Sequence, residues 1–506
     1  MAAFISKAEQ QYLVSVITDW SLSHGLAIKS FAGQNNTDSR DEIITTVPLT
    51  LFPSPFPRTC FEQARDIQRD FNLLYASISQ DEDFLRSTIE KIIDTDSFIA
   101  KLWNVHLKVK EEGYTQDLSL GLFRSDYMVS DDDNIHCQHI IKQVEFNTIA
   151  ASFAALSSRA SELHRHSVNN RFLAQNFYYL LRDYNKFNIS DLPENKGISG
   201  LAFGLETAFN EYVKNSTSKE TKKCIIFLIQ NGEQNIFDQH HLEYALKQRK
   251  SPIPVFRLSF SQIYKQTKIN DTPNRELLYF LPTNPTLIFE VAVVYFRAGY
   301  GPLDYPDQSA WDGRFQLERS NAIKCPSILT QLAGSKKVQQ VLVTSGFDRF
   351  LTADESRLSK LQNTFTNIYP LDDSPAGLKA QKFALDTDLC RYYVLKPQRE
   401  GGGNNIYRSA IPDFLRSIPK SQWKSYILMK IIKTPKLQNI ILRNGNIEKG
   451  SVVSELGIFG TCLWNHTTHE IIHNEEAGYL LRSKGDQSEE GGVAIGYGCI
   501  DSCRLV

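Results

Sequence analysis

No run of about 18 consecutive apolar residues occurs in this chain, so the sequence offers no membrane-spanning helix. Charge of one sign is also missing. The 56 lysines and arginines face 57 aspartates and glutamates, for a net charge of -1. That balance provides no general field for nucleic acid or an anionic membrane and favours a small-molecule substrate. Cysteine is sparse. The eight in 506 residues are scattered; only Cys499 and Cys503 lie close together, at a spacing that matches no zinc motif, so all read as reduced thiols. The first 34 residues lack the basic start and apolar run of a secretion signal, which together with the thiols points to a cytoplasmic protein and makes the N-x-[ST] sequons chance matches. There is no G-x-S-x-G elbow and no flanked cysteine nucleophile. His164 and His166, like the adjacent His240 and His241, lack the spacing of zinc ligands. Covalent hydrolysis and zinc chemistry are therefore disfavoured.

Two phosphate motifs are absent as well, G-x-x-x-x-G-K-[ST] and G-x-G-x-x-G. The chain instead has Lys396-Pro397-Gln398-Arg399-Glu400-Gly401-Gly402-Gly403-Asn404-Asn405, with its lysine ahead of the glycines. Glycines at positive φ expose successive backbone N–H groups, Lys396 and Arg399 add charge, and Glu400 suits a divalent cation between phosphate oxygens. A surface turn after the strand-like run Arg391 to Leu395 is the plainer alternative. In Gln143-Val144-Glu145-Phe146-Asn147, side chains two apart share a strand face, so Glu145 and Asn147 present two hard oxygens, either for magnesium or as ordinary solvent-facing alternation. Arg124 and Arg297 belong to buried strands, where a guanidinium needs a carboxylate, from the protein or from a ligand. Lys336 and Lys337 open a helix, where the dipole disfavours cations unless an anion shares the site. Arg482 and Lys484 precede a glycine segment that suits a mobile closing loop.

The length predicts about three domains. The pattern from Ser6 to Asn104 is largely helical, broken by the proline-rich Pro48 to Pro57. Leu118 to Val129 and Ile140 to Ile149 read as paired strands around the acidic turn Ser130 to Asn134. From Cys224 onward, alternating strands and helices predict a small parallel α/β unit ending near Gly334, with Ser335 capping the next helix. The stretch Ile440 to Asn446 followed by Val452 to Trp464 predicts antiparallel sheet.

These residues carry a resemblance to the eukaryotic glutathione synthetases, ATP-grasp ligases, with fungal members most similar. It rests on Phe123-Arg124-Ser125-Asp126-Tyr127, Val144-Glu145-Phe146-Asn147-Thr148, Asn235-Ile236-Phe237-Asp238-Gln239, Val293 to Arg297, Gln331 to Gln340, Lys396 to Asn405, Ser454 to Ile458 and Leu480 to Lys484, and spans nearly the whole chain. The resemblance implies an α/β ATP-grasp fold: residues 1–220 as the N-terminal part of the body, 221–334 as an inserted α/β substrate domain, and 335–506 as the C-terminal part, with an antiparallel lid at about 370–455 and an acceptor loop at about 482–496. It implies ATP-dependent joining of γ-glutamylcysteine to glycine through an acyl phosphate, with Mg2+, in a homodimer. Such phosphoryl transfer depends on positioning and charge neutralisation, so no histidine or serine nucleophile is called for.

By the same resemblance, Glu145, Asn147 and Glu400 are the metal ligands. Glu145, Lys336, Lys396, Gln398, Glu400, Gly401, Gly402, Gly403, Asn404, Asn405, Tyr407, Met429, Lys430, Ile431, Ile432, Glu455, Lys484 and Glu490 form the ATP site. Arg124, Ile149, Ala150, Ala151, Ser152, Glu233, Gln234, Asn235, Gln239, Arg297, Ala298, Gly299 and Tyr300 hold the dipeptide. Arg482, Val493 and Ala494 hold the acceptor, and Arg482, Lys396 and Glu400 are the groups assigned to catalysis. Three departures stand out. Lys430 replaces an acid in the Ile-Leu-Met-Glu linker of relatives, which implies altered ATP binding; Gln234 replaces an arginine; and Ile495 follows Val493 and Ala494 where relatives have a second alanine. Two alternatives follow from them, a weakly active paralogue and a ligase for a different small amino acid.

Overall fold

The computed structural model describes residues 7–31, 42–131, 139–169, 188–216, 218, 220–351, 354–489, 491–493 and 496–506. Most of the acidic turn, together with Glu490, Ala494 and Ile495, lies outside the described residues.

The long strand Leu118–Ser130 organises the fold, because its two faces do different work. Side chains alternate along a strand. Phe123 and Tyr127 pack on one side into a core with Phe71 and Tyr75 of the helix Gln68–Gln80. Leu118, Leu120 and Leu122 pack on the other with Leu201 and Leu205 of the helix Gly197–Asn215. Arg124 and Asp126 continue that second face, so the strand passes from apolar core to charged site without changing face.

Ile140–Asn147 runs antiparallel along one edge of this strand, with Asn147 opposite Arg124 and Glu145 opposite Asp126. A bulge follows: Tyr127 pairs with Gln143, and Val144 is left over. The other edge pairs with Asn446–Asn465, placing Gly457 opposite Asp126 and Phe459 opposite Arg124. Beyond it lies Ile471–Gly485, whose Arg482 is opposite Glu455. The hairpin Leu437–Arg443 to Asn446–Asn465 turns at Asn444 and Gly445, both at positive φ (49° and 75°), as an Asn-Gly turn requires.

The expected parallel unit is present as Val255–Leu258, Lys222–Leu228, Ile288–Phe296 and Ile323–Cys325, all parallel. It is not a separate sheet. Ile323–Cys325 pairs with the Leu118–Ser130 strand through Lys324 and Ser119, which joins the parallel and antiparallel strands above into one sheet of 13 strands among the described residues.

A separate four-stranded antiparallel sheet is built from Ile368–Pro370, Ile427–Lys430, Tyr393–Lys396 and Ile406–Tyr407, in that order. Its own apolar core includes Leu371, Leu395, Ile411, Leu415 and Leu428.

One expectation fails near the start. The stretch read as largely helical contains, after the helix Lys7–Ser23, a two-stranded antiparallel sheet of Ala27–Phe31 and Glu42–Thr46. The β-branched run Ile43-Ile44-Thr45-Thr46 favours strand and outweighs the surrounding helical pattern. The proline-rich segment is extended, as Leu49–Thr50 and Ser54–Phe56.

Gly457 connects fold to site. A Cβ there would lie 2.7 Å from Cδ of Arg124 and 2.9 Å from Oδ1 of Asp126. Replacing Gly457 with alanine is predicted to displace that buried pair and destabilise the protein by about 1–3 kcal/mol, the usual size of an overpacking effect. Chemical denaturation tests this, and an unchanged midpoint would mean that the pair slides aside freely.

Candidate active site

The period-two alternation described above sets Arg124, Asp126, Glu145, Asn147, Glu455, Arg482 and Lys484 on one face of the large sheet. Asp126 is at their centre, 1% exposed, and nothing in its local sequence marks it as a site residue. Its carboxylate accepts from Nε and Nη2 of Arg124 at 2.6 and 2.8 Å, from Nδ2 of Asn147 at 3.0 Å and from Nη2 of Arg482 at 3.2 Å. Arg482 also pairs with Glu455. Nδ2 of Asn147 donates to the Arg124 carbonyl as well, at 3.2 Å. Both donations come from nitrogen, so the amide oxygen remains as the acceptor.

The helix Lys336–Ser345 is capped by Ser335, whose hydroxyl accepts from the Val338 amide at 3.4 Å. Anions do share its N-terminus. Nζ of Lys336 lies 3.1 Å from Glu145 and 2.7 Å from Glu400, while Lys337 is 3.7 Å from Asp372. One ammonium thus joins a carboxylate of the large sheet to one of the glycine loop. The lysine side chain is 4% exposed and each carboxylate 20%, so the cluster opens through its oxygens.

Burial would raise the Glu145 pKa, but Lys336, Lys396 and Arg482 outweigh it and hold the carboxyl well below its usual range. Glu400 is pushed upward, by burial first and by the Glu145 charge, against the pull of Lys336. Lys396 is shifted downward, chiefly by burial. Its Nζ donates to the Val144 carbonyl at 3.2 Å, at the residue left over by the bulge.

The glycine loop is held against the body along its length. Gln398 accepts from the Lys337 amide at 2.9 Å, and Arg399 meets Asp96 at 2.6 Å. Gly401, Gly402 and Gly403 all adopt positive φ (94°, 74° and 73°). A Cβ on Gly401 would come within 3.2 Å of the Tyr300 ring. Asn404 turns back to donate to the Gly402 carbonyl at 2.8 Å, and Asn405 donates to the Tyr407 hydroxyl at 3.2 Å. Tyr407, Met429, Ile431 and Ile432 gather in one small apolar cluster on the inner face of the four-stranded sheet.

Near the ends of the parallel strands, Arg297 reaches Asp238 at 3.2 Å and the Ser152 hydroxyl at 2.8 Å. The Ser152 carbonyl accepts from Arg124 at 3.1 Å, so Ser152 bridges the two guanidinium groups. Asp238, likewise unmarked by its local sequence, accepts from the amides of Phe153, Ala155 and Leu156 at the start of the helix Ala154–Asn169. Ala150 and Phe153 take positive φ (50° and 72°) in that turn, a strain of about 1–3 kcal/mol each that surrounding contacts must hold in place. Ile149 and Ala151 are buried there. Glu233 accepts from the Asn235 amide at 2.9 Å and from Gln239 at 2.5 Å. Asp304 accepts from the amides of Gly299 and Tyr300 at 2.8 and 3.1 Å, and Ala298 is buried beside them. Gln234 is exposed, and its carbonyl accepts from the Lys29 amide.

Lys484 donates to the Glu489 carbonyl, and Arg408 pairs with Glu489 at 3.2 Å, linking the small sheet to the segment before Val493. Arg482 and Lys484 belong to a long strand rather than to a loop.

Does this donor set suit magnesium? Glu145, Glu400 and the Asn147 amide oxygen are hard oxygens, and two of them already share a cation, so they fit. Among the described residues no group of three His, Cys, Asp or Glu forms a metal cluster, so the fit depends on the asparagine.

Lys430 takes the strand face of Leu428, which packs into the small sheet's outer core, opposite Met429. Strand alternation therefore directs its side chain to the face opposite that apolar cluster. Lys430→Glu is predicted to leave the KM for ATP within about twofold, as for a half-buried side chain on the face opposite the apolar cluster. A larger shift in steady-state kinetics would return this residue to the nucleotide site.

Comparison with known proteins agrees with this geometry. The family model described as eukaryotic glutathione synthase, ATP binding domain, matches residues 7–505. The chain is 42% identical over 504 residues to the glutathione synthetase large chain of Schizosaccharomyces pombe, covering 96% of each. It is 38% identical to the glutathione synthetase of Rattus norvegicus, covering 96% of this chain and 94% of that one. Among solved structures, a glutathione synthetase-like effector from Globodera pallida superposes with a TM-score of 0.72 at 22% identity, covering 99% and 98% of the two chains, a likeness of fold. Residues 7–505 of a 506-residue chain fall within one family profile, and the chain belongs to the eukaryotic glutathione synthases.

Proposed function

We propose that the protein is a glutathione synthetase, joining γ-glutamylcysteine to glycine with conversion of ATP to ADP and phosphate. The observation that carries the reading is the charge cluster in which Lys336 spans Glu145 and Glu400, with Lys396 and Arg482 beside it, in a chain of this family.

A carboxylate resists attack by an amine, so the dipeptide's cysteinyl carboxylate must first be activated. Lys396 and the amides of Gly401, Gly402 and Gly403 would cradle the phosphates, with the apolar cluster of Tyr407, Met429, Ile431 and Ile432 against the base. Glu455 and Lys484 complete the nucleotide side. Glu145, Asn147 and Glu400 would hold Mg2+, which when bound neutralises phosphate charge and aligns the transferred group. The γ-phosphoryl group passes to the carboxylate oxygen, giving an acyl phosphate and ADP. Glycine's amine then attacks the acyl carbon, the C–O bond to phosphate breaks, and the amine loses its proton as inorganic phosphate leaves. Arg124 and Arg297, bridged by Ser152, would orient the dipeptide. Arg482, held by Asp126 and Glu455, would face the charge that develops on the tetrahedral oxygen.

The lid, at about 370–455 in this reading, would centre on the four-stranded sheet, while Leu437–Arg443 and Asn446–Asn465 pair within the large sheet. A homodimer is part of the same reading, carried by the family alone. Among the described residues no helix is long and apolar enough to cross a membrane, and the seven described cysteines are all free and buried. The thiols support a cytoplasmic setting.

A second reading concerns only the acceptor, because Ile495 is bulkier than the alanine usual in the family. Phosphate release measured with γ-glutamylcysteine, ATP and magnesium over a panel of glycine, β-alanine, alanine and serine tests both. Glycine is predicted to give the highest kcat/KM. A different best acceptor would change the assignment, and no release above an ATP-only control would refute ligase activity.

A further inference from the structure

Buried polar atoms almost always have partners, so a group of orphans gathered at one ligand-binding face marks a missing polar ligand. Among the described residues, Nη1 and Nη2 of Arg257, Nε of Arg297, Oδ1 of Asn235 and Oε1 of Gln239 are all buried with no hydrogen-bond partner. Asn235, Gln239 and Arg297 belong to the dipeptide segments described above. Arg257 does not, and neither its spacing nor the family resemblance pointed to it.

Strand register brings it there. Arg257 is the third residue of Val255–Leu258, beside Phe227, which is in turn beside Tyr295; Arg297 lies two residues beyond Tyr295 and so shares its face. Both arginines therefore stand at the carboxyl ends of parallel strands, where open α/β sheets bind ligands. The helix Ile236–Lys247 covers this face through the Asp238–Arg297 pair. The acids near Arg257 are already engaged: Glu243 by His240 and Lys247 at 2.9 and 2.6 Å, Glu233 by Gln239 and the Asn235 amide. Burial lowers the Arg257 pKa, the mark of a cation held without a bonded anion, with Glu243 and Glu233 opposing that shift and Arg297 adding to it.

We infer that Arg257 is a further specificity-determining residue, its guanidinium fork taking the α-carboxylate of the γ-glutamyl group while Glu233, Asn235 and Gln239 face the neighbouring ammonium. Orphan donors on Arg257 and Arg297 together with orphan acceptors on Asn235 and Gln239 match a zwitterionic amino-acid head, and the planar guanidinium fork matches a carboxylate. The inference rests on the proposed ligase reading and sharpens it: the enzyme recognises the end of the dipeptide farthest from the reacting carboxylate.

The test compares the full-length enzyme with Arg257→Met and Arg257→Lys on two substrates, γ-glutamylcysteine and 4-aminobutyryl-cysteine, which lacks only the α-carboxylate. ATP, magnesium and acceptor are saturating, and thermal melting is followed in parallel. On γ-glutamylcysteine, Arg257→Met is expected to lose about 10- to 100-fold in kcat/KM, mainly through KM, the usual scale for a hydrogen bond to a charged group. On the analogue, wild type and both variants are expected to converge within about threefold, because the group that Arg257 reads is gone. Arg257→Lys, which keeps charge and bulk, is expected to fall between the two on the natural dipeptide, and it decides the question if the methionine variant melts early. Equal losses on both substrates, or no loss on γ-glutamylcysteine, would overturn the inference. If wild-type enzyme released no phosphate from the natural dipeptide, the ligase reading itself would fail, and this inference with it.

Discussion

The ion cluster at Lys336 is the interaction on which the rest of the site depends. Its ammonium joins Glu145 on the large sheet to Glu400 on the glycine loop. Two carboxylates this close cannot both stay ionised without a cation between them, and removing one partner from a buried pair typically costs about 3–5 kcal/mol. The position at a helix N-terminus would itself disfavour a lysine; the two acids reverse that preference. The small sheet is thus held to the body by charge at the point where phosphate chemistry would occur.

Around that cluster the sheet does most of the positioning. Strands with a period of two set Arg124, Asp126, Glu145 and Asn147 on one face, and the bulge at Val144 frees a carbonyl to receive Lys396. Gly457 leaves room for the Arg124 and Asp126 side chains to lie across the neighbouring strand. The same face that begins as Leu118, Leu120 and Leu122 under a helix ends as a charged floor, so core packing and site geometry share one strand. Asp126 ties that floor to Arg482, while Ser152 ties it to Arg297 and the parallel strands.

How much of this was legible beforehand differs by residue, for physical reasons. Local chemistry was readable. The glycine loop, the Glu145 and Asn147 alternation, the Ser335 cap and the Asn-Gly hairpin each depend on spacing within a few residues. The misplaced lysines at Lys336 and Lys337 also signalled an anion correctly. Long-range partnerships were not readable. Asp126 meets Arg482 across 356 residues of sequence, and Asp238 caps a helix that begins more than 80 residues earlier. An aspartate within a strand or a helix carries no local mark of such a partner. The merging of the parallel unit into the main sheet rests on a single pairing, Lys324 with Ser119, which no periodicity encodes. Facing is likewise not readable from sequence position: strand alternation sets Lys430 on the Leu428 face, and Gln234 is exposed.

The central claim is that Glu400 is the lid's share of a single charge cluster on which ligation depends. It is tested most directly by mass-spectrometric detection of the tripeptide, with ADP measured alongside, in wild type and Glu400→Gln at equal protein and saturating magnesium. The account predicts one tripeptide per ADP in wild type, and in the variant a cooperative melting transition shifted to lower temperature by loss of the Lys336 pair, with no tripeptide. A Glu400→Gln enzyme that still makes tripeptide at the wild-type rate would contradict it.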